Sequence, residues 1–291
     1  MKALRTAAAF QYCGEFAASH RENFPIASRF ISKQHRNDLF AMYAFLRTAD
    51  DIADNEAIPI NLRLKLLLEM EGKLHRCYRD DAVEPIFIAL ADTVRRVSIP
   101  IECFLDLLNA FKVDLFKIRY GTFEELIEYC RFSANPVGDM VLRLWQYDRH
   151  PEYDIMKKAS DEICTGLQLT NHWQDIFIDR RKGRLYVPLE DMTRFEYTLE
   201  EWERELVNSA FRSLMEFECI RARGFFERGA ELLTRLRRPH RIHIGLVQRG
   251  GMRILDKLSS CRYDVLTARP SLNSFDVLKI LWATLFGVKE S

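Results

Sequence analysis

Two acidic clusters in the sequence have the residue types and the spacing of a cation-binding site. The first lies in the segment YAFLRTADDIADNE, where Asp50 and Asp54 are four residues apart. In a helix, side chains at that spacing lie one above the other on a single face, and two carboxylates placed there repel each other. Such a pair either faces open water or holds a cation. The preceding residues, 39–46, are largely apolar and indicate a buried helix, which makes a merely solvated acidic face less suitable here.

The second cluster lies in the segment GLQLTNHWQDIFIDRRKGRLYVP at 166–188. Asp175 and Asp179 repeat the spacing of four, and Asn171 extends the polar stripe by one turn. Basic residues follow directly at 180–184, beside the acidic stripe. One alternative is a helix C-terminus whose basic residues complement the helix dipole. The occurrence of both clusters in one chain favours a site for metal and diphosphate.

Mg²⁺ is the cation that suits such clusters. It is usually held by one or two carboxylates together with substrate phosphate oxygens and waters. If the two helices lie antiparallel in one bundle, a diphosphate fits between them, and arginines add bidentate contacts to its remaining oxygens. The implied chemistry is departure of diphosphate from an allylic or cyclopropylcarbinyl carbon, with aromatic faces steering the carbocation that remains.

The elements that must position these residues are predicted to be helices throughout. Apolar residues recur every three or four positions, and no strand-like alternation occurs, so the fold class is all-α, a bundle of about ten helices. The predicted helices are 36–55, 60–79, 82–97, 101–118, 123–147, 153–181, 198–219, 220–237, 240–261 and 274–288. Thr122 with Glu125 and Thr198 with Glu201 have the spacing of capping boxes. Prolines stand where helices are expected to begin or break, at Pro59, Pro100, Pro151 and Pro239.

Composition and charge limit the classes of function. The 291 residues carry 43 basic and 42 acidic side chains and contain no linker-like segment, so we predict a single domain over 1–291. A net charge of +1 provides no field for nucleic acid, and no nucleic-acid partner is expected. Seven scattered cysteines without a CxxC pair, no secretory signal and no membrane span predict a cytoplasmic protein.

The C-terminal segment 272–288 is amphipathic and rather apolar. It either packs on the core or lies on a membrane surface, so peripheral contact with the inner face of the membrane stays open. The basic run at 235–241 likewise belongs either to a solvated helix junction or to a contact with lipid headgroups.

Four further segments, together with the two aspartate motifs, resemble the head-to-head prenyl synthases, which include squalene, dehydrosqualene and phytoene synthases. These segments are ENFPIASRF at 22–30, YCRFSANPVG at 129–138, GRLYVP at 183–188 and RILDKLSSCRYDVL at 253–266. The similarity runs in that order from about residue 15 to 285. It implies the helical isoprenoid synthase fold, with a central active-site cavity between the two aspartate-bearing helices.

The resemblance also implies roles for individual residues. The Mg²⁺ ligands would be Asp50, Asp54, Asn171, Asp175 and Asp179. The substrate diphosphate would contact Arg47, Asp51 and Arg184. Tyr43, Tyr129 and Tyr186 are similar to the family tyrosines near the reacting centre and would be the catalytic tyrosines.

Within the family, ENFPIAS and SANPVG look most like the bacterial hydroxysqualene synthases of hopanoid biosynthesis. Two departures agree with that branch: Gln174 replaces an arginine common before Asp175, and Gly251 replaces a tyrosine. The implied reaction converts presqualene diphosphate and water to hydroxysqualene and diphosphate without a nicotinamide.

Alternatives to this reaction stay open. One is a presqualene diphosphate, phytoene or dehydrosqualene synthase that condenses two prenyl diphosphates. Another is a non-catalytic assembly factor, which the intact aspartates disfavour. The expected partners are presqualene diphosphate or another prenyl diphosphate, and other squalene-pathway enzymes are candidates.

Overall fold

The computed structural model describes residues 2–20, 31–266 and 269–286. Within them the chain forms fifteen α-helices and one short 3-10 helix, and the only β pairing is a single bridge between Arg119 and Leu185. The all-α prediction is confirmed. The helices are α1 (Lys2–Ser19), α2 (Lys33–Asp54), α3 (Ile60–Tyr78), α4 (Pro85–Val97), α5 (Ile101–Val113), α6 (Phe123–Ser133), α7 (Asn135–Leu144), α8 (Tyr153–Gln174), α9 (Ile176–Arg181), α10 (Leu189–Arg194), α11 (Leu199–Glu203), α12 (Ser209–Gly229), α13 (Glu231–Arg235), α14 (Arg238–Ser260) and α15 (Ser274–Phe286), with the 3-10 helix at Tyr147–Arg149.

The chain forms two compact units. The first comprises Met1–Phe116 with Pro136–Lys157, and the second comprises Lys117–Asn135 with Lys158–Ser291. The boundary after Lys157 falls inside α8. The prediction of one domain over the whole chain stays a prediction.

In the first unit, α2 is held by small residues on one side and by aromatic rings on the other. Ala41 and Ala44 of α2 lie in a fully buried cluster with residues of α1 and α4, where the lack of large side chains lets the helices approach closely. On the other side, the Phe45 ring meets Phe87 and Phe104 edge-on at centroid distances of 5.8 and 5.4 Å. The prediction that the first acidic cluster continues a buried helix is confirmed.

In the second unit, two glycines set the spacing of the long helices. A Cβ at Gly229 would lie 2.5 Å from Ile163, and a Cβ at Gly251 would lie 2.5 Å from the Phe226 ring. Both distances are far below van der Waals contact, so α12 packs against α8 and α14 with no room for a larger residue at either position.

Most helix starts agree with the sequence, but three predicted helices are divided and one predicted boundary is wrong. The predicted helix 198–219 is interrupted between Glu203 and Ser209, and α12 then continues through the predicted boundary at 219/220 as far as Gly229. Thr198 and Glu201 form the predicted capping box. Thr122 accepts a hydrogen bond from the Glu125 backbone, but the Glu125 carboxylate accepts from the backbone N–H of Gly121, so the second box is only half formed. The predicted helix 123–147 breaks at Ala134, because Pro136 has no N–H to continue it. The predicted helix 153–181 breaks at Asp175.

Candidate active site

The first aspartate motif forms the last turns of α2. Asp50 and Asp54 lie on one face of the helix, with Tyr43 and Arg47 on the turns before them. The Arg47 guanidinium forms ion pairs with both neighbouring carboxylates, at 2.9 Å from Asp51 and 3.4 Å from Asp50. The Asp50 and Asp51 side chains are 38% and 44% exposed. These carboxylates are therefore accessible, and a guanidinium already stands beside them.

A histidine from the end of α1 joins this motif. The His20 Nε2 lies 3.6 Å from the Asp51 carboxylate, and the imidazole meets the Tyr43 ring edge-on at 6.2 Å. His20 is not among the site residues predicted from the sequence, because it stands outside the predicted helices. The adjoining ENFPIASRF motif at 22–30 lies outside the described residues.

The second motif spans the junction of α8 and α9. Asp175 has φ −99° and ψ 8° and ends the regular helix. Its N–H still donates to the Asn171 carbonyl at 2.8 Å, and its own carbonyl accepts from the Asp179 N–H at 2.8 Å. Asn171, Asp175 and Asp179 therefore stay one turn apart in spite of the break. The predicted polar stripe is present, but it extends over two consecutive helices, α8 and α9, rather than one.

Asp175 is held by an arginine that sequence reasoning missed. Arg269 contacts both oxygens of the Asp175 carboxylate, through Nε and, at 3.2 Å, through Nη2. The preceding residue, Gln174, is fully buried and donates from its side chain to the Pro270 carbonyl. Position 174, where the resemblance would place an arginine, thus anchors the 269–270 segment, and that segment supplies a guanidinium instead.

A glycine turn brings the chain back from the second motif. Gly183, at φ +70°, donates to the Arg180 carbonyl, and Arg184 donates to the Asp179 carbonyl, both at 2.9 Å. This is the Schellman pattern of a helix C-terminus, which needs a left-handed residue at the position of Gly183. Arg180 is occupied elsewhere, because it donates to the backbone carbonyls of Trp202 and Glu203.

After this turn, the segment 184–190 runs beside the segment 118–121. Leu185 donates to the Ile118 carbonyl at 2.8 Å, and Leu189 donates to the Tyr120 carbonyl at 3.0 Å. These bonds bring the rings of Tyr120 and Tyr186 together, stacked at 5.7 Å. The backbone pairing therefore fixes where Tyr186 stands.

Four rings form a cluster in the second unit. The His172 imidazole stacks on the Tyr186 ring at a centroid distance of 3.7 Å and an angle of 17°. Tyr129 lies 6.0 Å from His172 and 6.1 Å from Tyr186, and Tyr120 lies 5.5 Å from Tyr129. The structure thus joins two of the three predicted tyrosines, Tyr129 and Tyr186, and adds Tyr120 and His172. Tyr43, the third, belongs to the first unit.

His172 is a neutral imidazole in this cluster. Burial lowers the pKa of His172 to about 3, and the charge of Arg184 lowers it further. Its Nε2 is buried and has no hydrogen-bond partner among the described residues. A buried polar atom without a partner costs free energy, so this nitrogen is available to a water or a ligand.

The aspartates provide the oxygen donors that Mg²⁺ prefers, on side chains that solvent reaches. In the part of the chain that the structure describes, no three His, Cys, Asp or Glu side chains form a group that holds a metal ion alone. A Mg²⁺ bound by one or two carboxylates and by substrate phosphates does not require such a group. The residues present therefore fit Mg²⁺, and the assignment of Asp50, Asp54, Asn171, Asp175 and Asp179 as its ligands stays a prediction.

Comparisons with known proteins identify the family that this chain resembles. The model of the squalene/phytoene synthase family matches residues 17–276. The hydroxysqualene synthase of Rhodopseudomonas palustris is 34% identical over 75% of this chain and 73% of its own length. The phytoene synthase of Arthrospira platensis is 29% identical over 89% of this chain and 87% of its own.

Solved structures show the same similarity. The squalene synthase HpnC from Alicyclobacillus acidocaldarius is 33% identical and superposes with a TM-score of 0.81, covering 89% of this chain and 96% of that chain. A dehydrosqualene synthase that is 21% identical superposes over 98% of both chains with a TM-score of 0.85, which shows the shared fold. The chain belongs to the squalene/phytoene synthase family, whose members process prenyl diphosphates.

Proposed function

We propose that the protein is a Mg²⁺-dependent hydroxysqualene synthase of squalene and hopanoid biosynthesis. It converts presqualene diphosphate and water to hydroxysqualene and diphosphate. The enzyme is a carbon–oxygen lyase acting on phosphates, because the C–O bond to diphosphate breaks before water captures the carbocation. Hydroxysqualene synthase is the name of the Rhodopseudomonas palustris relative. The proposed enzyme acts in the cytoplasm.

The observation that carries the proposal is the structure around positions 174 and 251. The buried Gln174 side chain donates a hydrogen bond to the Pro270 carbonyl, and a Cβ at Gly251 would lie 2.5 Å from the Phe226 ring. Position 251 has no room for the tyrosine that the resemblance associates with synthases performing both half-reactions, and the buried side chain at 174 binds the backbone in place of the arginine that the resemblance associates with them. An enzyme without those two groups is better suited to a substrate whose carbon skeleton is already joined.

An arginine lies beside each aspartate motif, and its guanidinium can bind a phosphate group. Arg47 lies on Asp50 and Asp51, and Arg269 lies on Asp175. Bound at these aspartates, Mg²⁺ would supply positive charge that stabilises the departing diphosphate. The carboxylates would hold the cation, and Arg47, Arg269 and Arg184 would donate to the phosphate oxygens that the cation leaves free.

The aromatic cluster suits the carbocation that follows. The C–O bond to diphosphate breaks with its electron pair on the leaving group, and the ring of Tyr129, which makes only tilted contacts with its neighbours, can attract the cation. Tyr186 supports the cluster instead, since its ring is stacked against His172 and Tyr120. His172 is neutral and so does not repel the cation. The cyclopropylcarbinyl cation rearranges with opening of its three-membered ring. A water held at the His172 Nε2 then forms the new C–O bond, and its proton passes to the released diphosphate.

Two other functions remain as alternatives. The phytoene synthase relative favours a synthase that condenses two prenyl diphosphates. The non-catalytic assembly role has less support, because all four motif aspartates are present and solvent reaches the Asp50 and Asp175 side chains.

Mass-spectrometric product analysis tests the proposal. The purified protein is incubated with Mg²⁺ and no reductant, separately with presqualene diphosphate, farnesyl diphosphate and geranylgeranyl diphosphate. We expect hydroxysqualene from presqualene diphosphate, and none when a chelator is added. A condensed product from farnesyl or geranylgeranyl diphosphate would instead assign the protein to the condensing synthases, and no turnover of any of the three would favour the assembly role.

A further inference from the structure

The last helix, α15, exposes a row of large apolar side chains. Phe275 and Leu278 are each 63% exposed, Trp282 is 61%, Val277 is 51% and Leu285 is 36%. Phe275, Leu278, Trp282 and Leu285 follow one another at spacings of three or four along the outer face of Ser274–Phe286, and Val277 lies to one side of this row. Among the described residues, no helix is long and apolar enough to cross a membrane.

The opposite face of α15 docks firmly on α14. Ile280 is buried in a cluster with Ile242 and Leu246. Asp276 is buried and forms ion pairs with Arg253 and Lys257 at 2.9 and 2.8 Å. The outer face is therefore presented by an anchored helix, and its exposure does not come from a loosely attached tail.

The charge on and around this face is basic. Along 274–285 the only charged side chain besides the buried Asp276 is Lys279, which is exposed and lies 4.8 Å from the Phe275 ring centroid. The contacts of Arg253 with Asp276 and of Gly245 with Thr284 show that α14 and α15 run antiparallel. The exposed Arg238 and Arg241 at the start of α14 therefore lie toward the C-terminal end of α15.

From this combination we infer that the outer face of α15 is a docking surface for a bilayer that contains anionic lipid. Exposed tryptophan, phenylalanine and leucine with flanking lysine and arginine are typical of a helix that lies in the membrane interface. Lys279, Arg238 and Arg241 would meet the same positive charges on a second copy, which disfavours self-association, whereas they attract anionic headgroups. The inference agrees with the proposed function, since a C30 product without diphosphate partitions into a bilayer.

The tryptophans of this chain provide a direct test. Of the four, Trp145, Trp173 and Trp202 are at most 7% exposed, whereas Trp282 lies on the proposed surface. Vesicles of phosphatidylglycerol and phosphatidylethanolamine are expected to shift the protein's tryptophan emission to the blue. Phosphatidylcholine lipids brominated along one acyl chain, mixed into the same vesicles, should quench it. In Trp282→Phe both signals should disappear.

A double variant and a matched control measure the affinity by vesicle co-sedimentation. Phe275→Ser with Leu278→Ser is expected to weaken binding at least about tenfold, because two apolar side chains no longer leave water. Leu68→Ser with Ile220→Ser removes similarly exposed apolar side chains from α3 and α12 and should leave binding unchanged. Circular dichroism verifies that both variants are folded.

Three results would overturn the inference. They are wild-type emission that brominated lipid does not quench, equal vesicle binding by the two double variants, and sedimentation equilibrium showing a dimer that only the Phe275/Leu278 variant loses. Binding is measured without substrate, so its failure is independent of the product assigned by mass spectrometry.

Discussion

At the scale of single residues, the motif aspartates are the groups on which the proposed chemistry depends. Asp50→Asn and Asp175→Asn each remove one charge while keeping the shape of a half-exposed side chain. We expect turnover to fall by at least about 100-fold, because roughly 3 kcal/mol or more of charge stabilisation is lost from the leaving group. Activity measured by product formation and helix content measured by circular dichroism check this together.

Asp154→Asn is the matched control for that prediction. Asp154 is an exposed aspartate on α8, the helix that leads to the second motif, and it lies outside both motifs. Its variant should keep wild-type activity. If the Asp50 and Asp175 variants are as active as the control, the metal assignment is wrong.

His172 is predicted to control what ends the reaction. His172→Phe keeps a ring that can stack on Tyr186 but removes the nitrogen that has no partner among the described residues. We expect a several-fold lower ratio of alcohol to hydrocarbon products, because a carbocation without a positioned water loses a proton instead. His172→Gln, which can still hold a water, should restore much of the ratio. An unchanged ratio in His172→Phe would assign this side chain to packing alone.

At the scale of elements, the turn after α9 decides where Arg184 and Tyr186 stand. Gly183→Ala introduces a Cβ that meets no atom within 4 Å, so the change acts only through the backbone, at φ +70°. We expect a loss of about 1 kcal/mol in the free energy of unfolding, since an L-residue is strained in the left-handed region. Urea unfolding followed by circular dichroism measures it.

Gly72→Ala is the control for the turn. Gly72 lies inside α3, and its Cβ also meets nothing within 4 Å. There alanine should stabilise the protein by roughly 0.5–1 kcal/mol, because it suits a helix interior better than glycine. Equal effects of the two substitutions would rule out the strained turn.

The elements also show what the sequence allows one to predict. Helices with large apolar residues every three or four positions were predicted nearly to their ends, as for α3, Ile60–Tyr78 against 60–79. Helix α1 was not predicted, because its buried stripe consists of the small residues Ala9, Cys13 and Ala17. Periodicity of large side chains does not detect such a helix.

The candidate site was predicted only where it is local in sequence. Arg47 with Asp50 and Asp51 are helical neighbours, so their proximity follows from spacing alone. The contact of Arg269 with Asp175 joins residues 94 positions apart. The stacking of Tyr120 on Tyr186 depends on the pairing of two extended segments. No local pattern encodes contacts of these two kinds.

At the scale of the whole molecule, a buried acid couples stability to pH. Glu218 of α12 is fully buried, and burial raises its pKa to about 9, from 4.5. Arg221, 3.5 Å away, opposes this shift, but it already donates two hydrogen bonds to Asp191, whose charge raises the pKa of Glu218 again, as does Glu190. The folded protein therefore keeps a proton on Glu218 at neutral pH.

The sign of the pH dependence follows from proton binding. Between about pH 4.5 and 9 the folded state holds a proton that the unfolded state has lost, so the free energy of unfolding decreases as the pH rises through this window. Glu218→Gln is neutral in both states and removes that contribution. Its stability advantage over the wild type should grow from near zero at about pH 5 to a few kcal/mol at about pH 9. Urea unfolding across this range measures the difference, with Glu216→Gln, exposed on the same helix, as the control. Parallel stability curves for Glu218→Gln and the wild type would mean that the folded protein leaves Glu218 ionised, with Arg221 neutralising it.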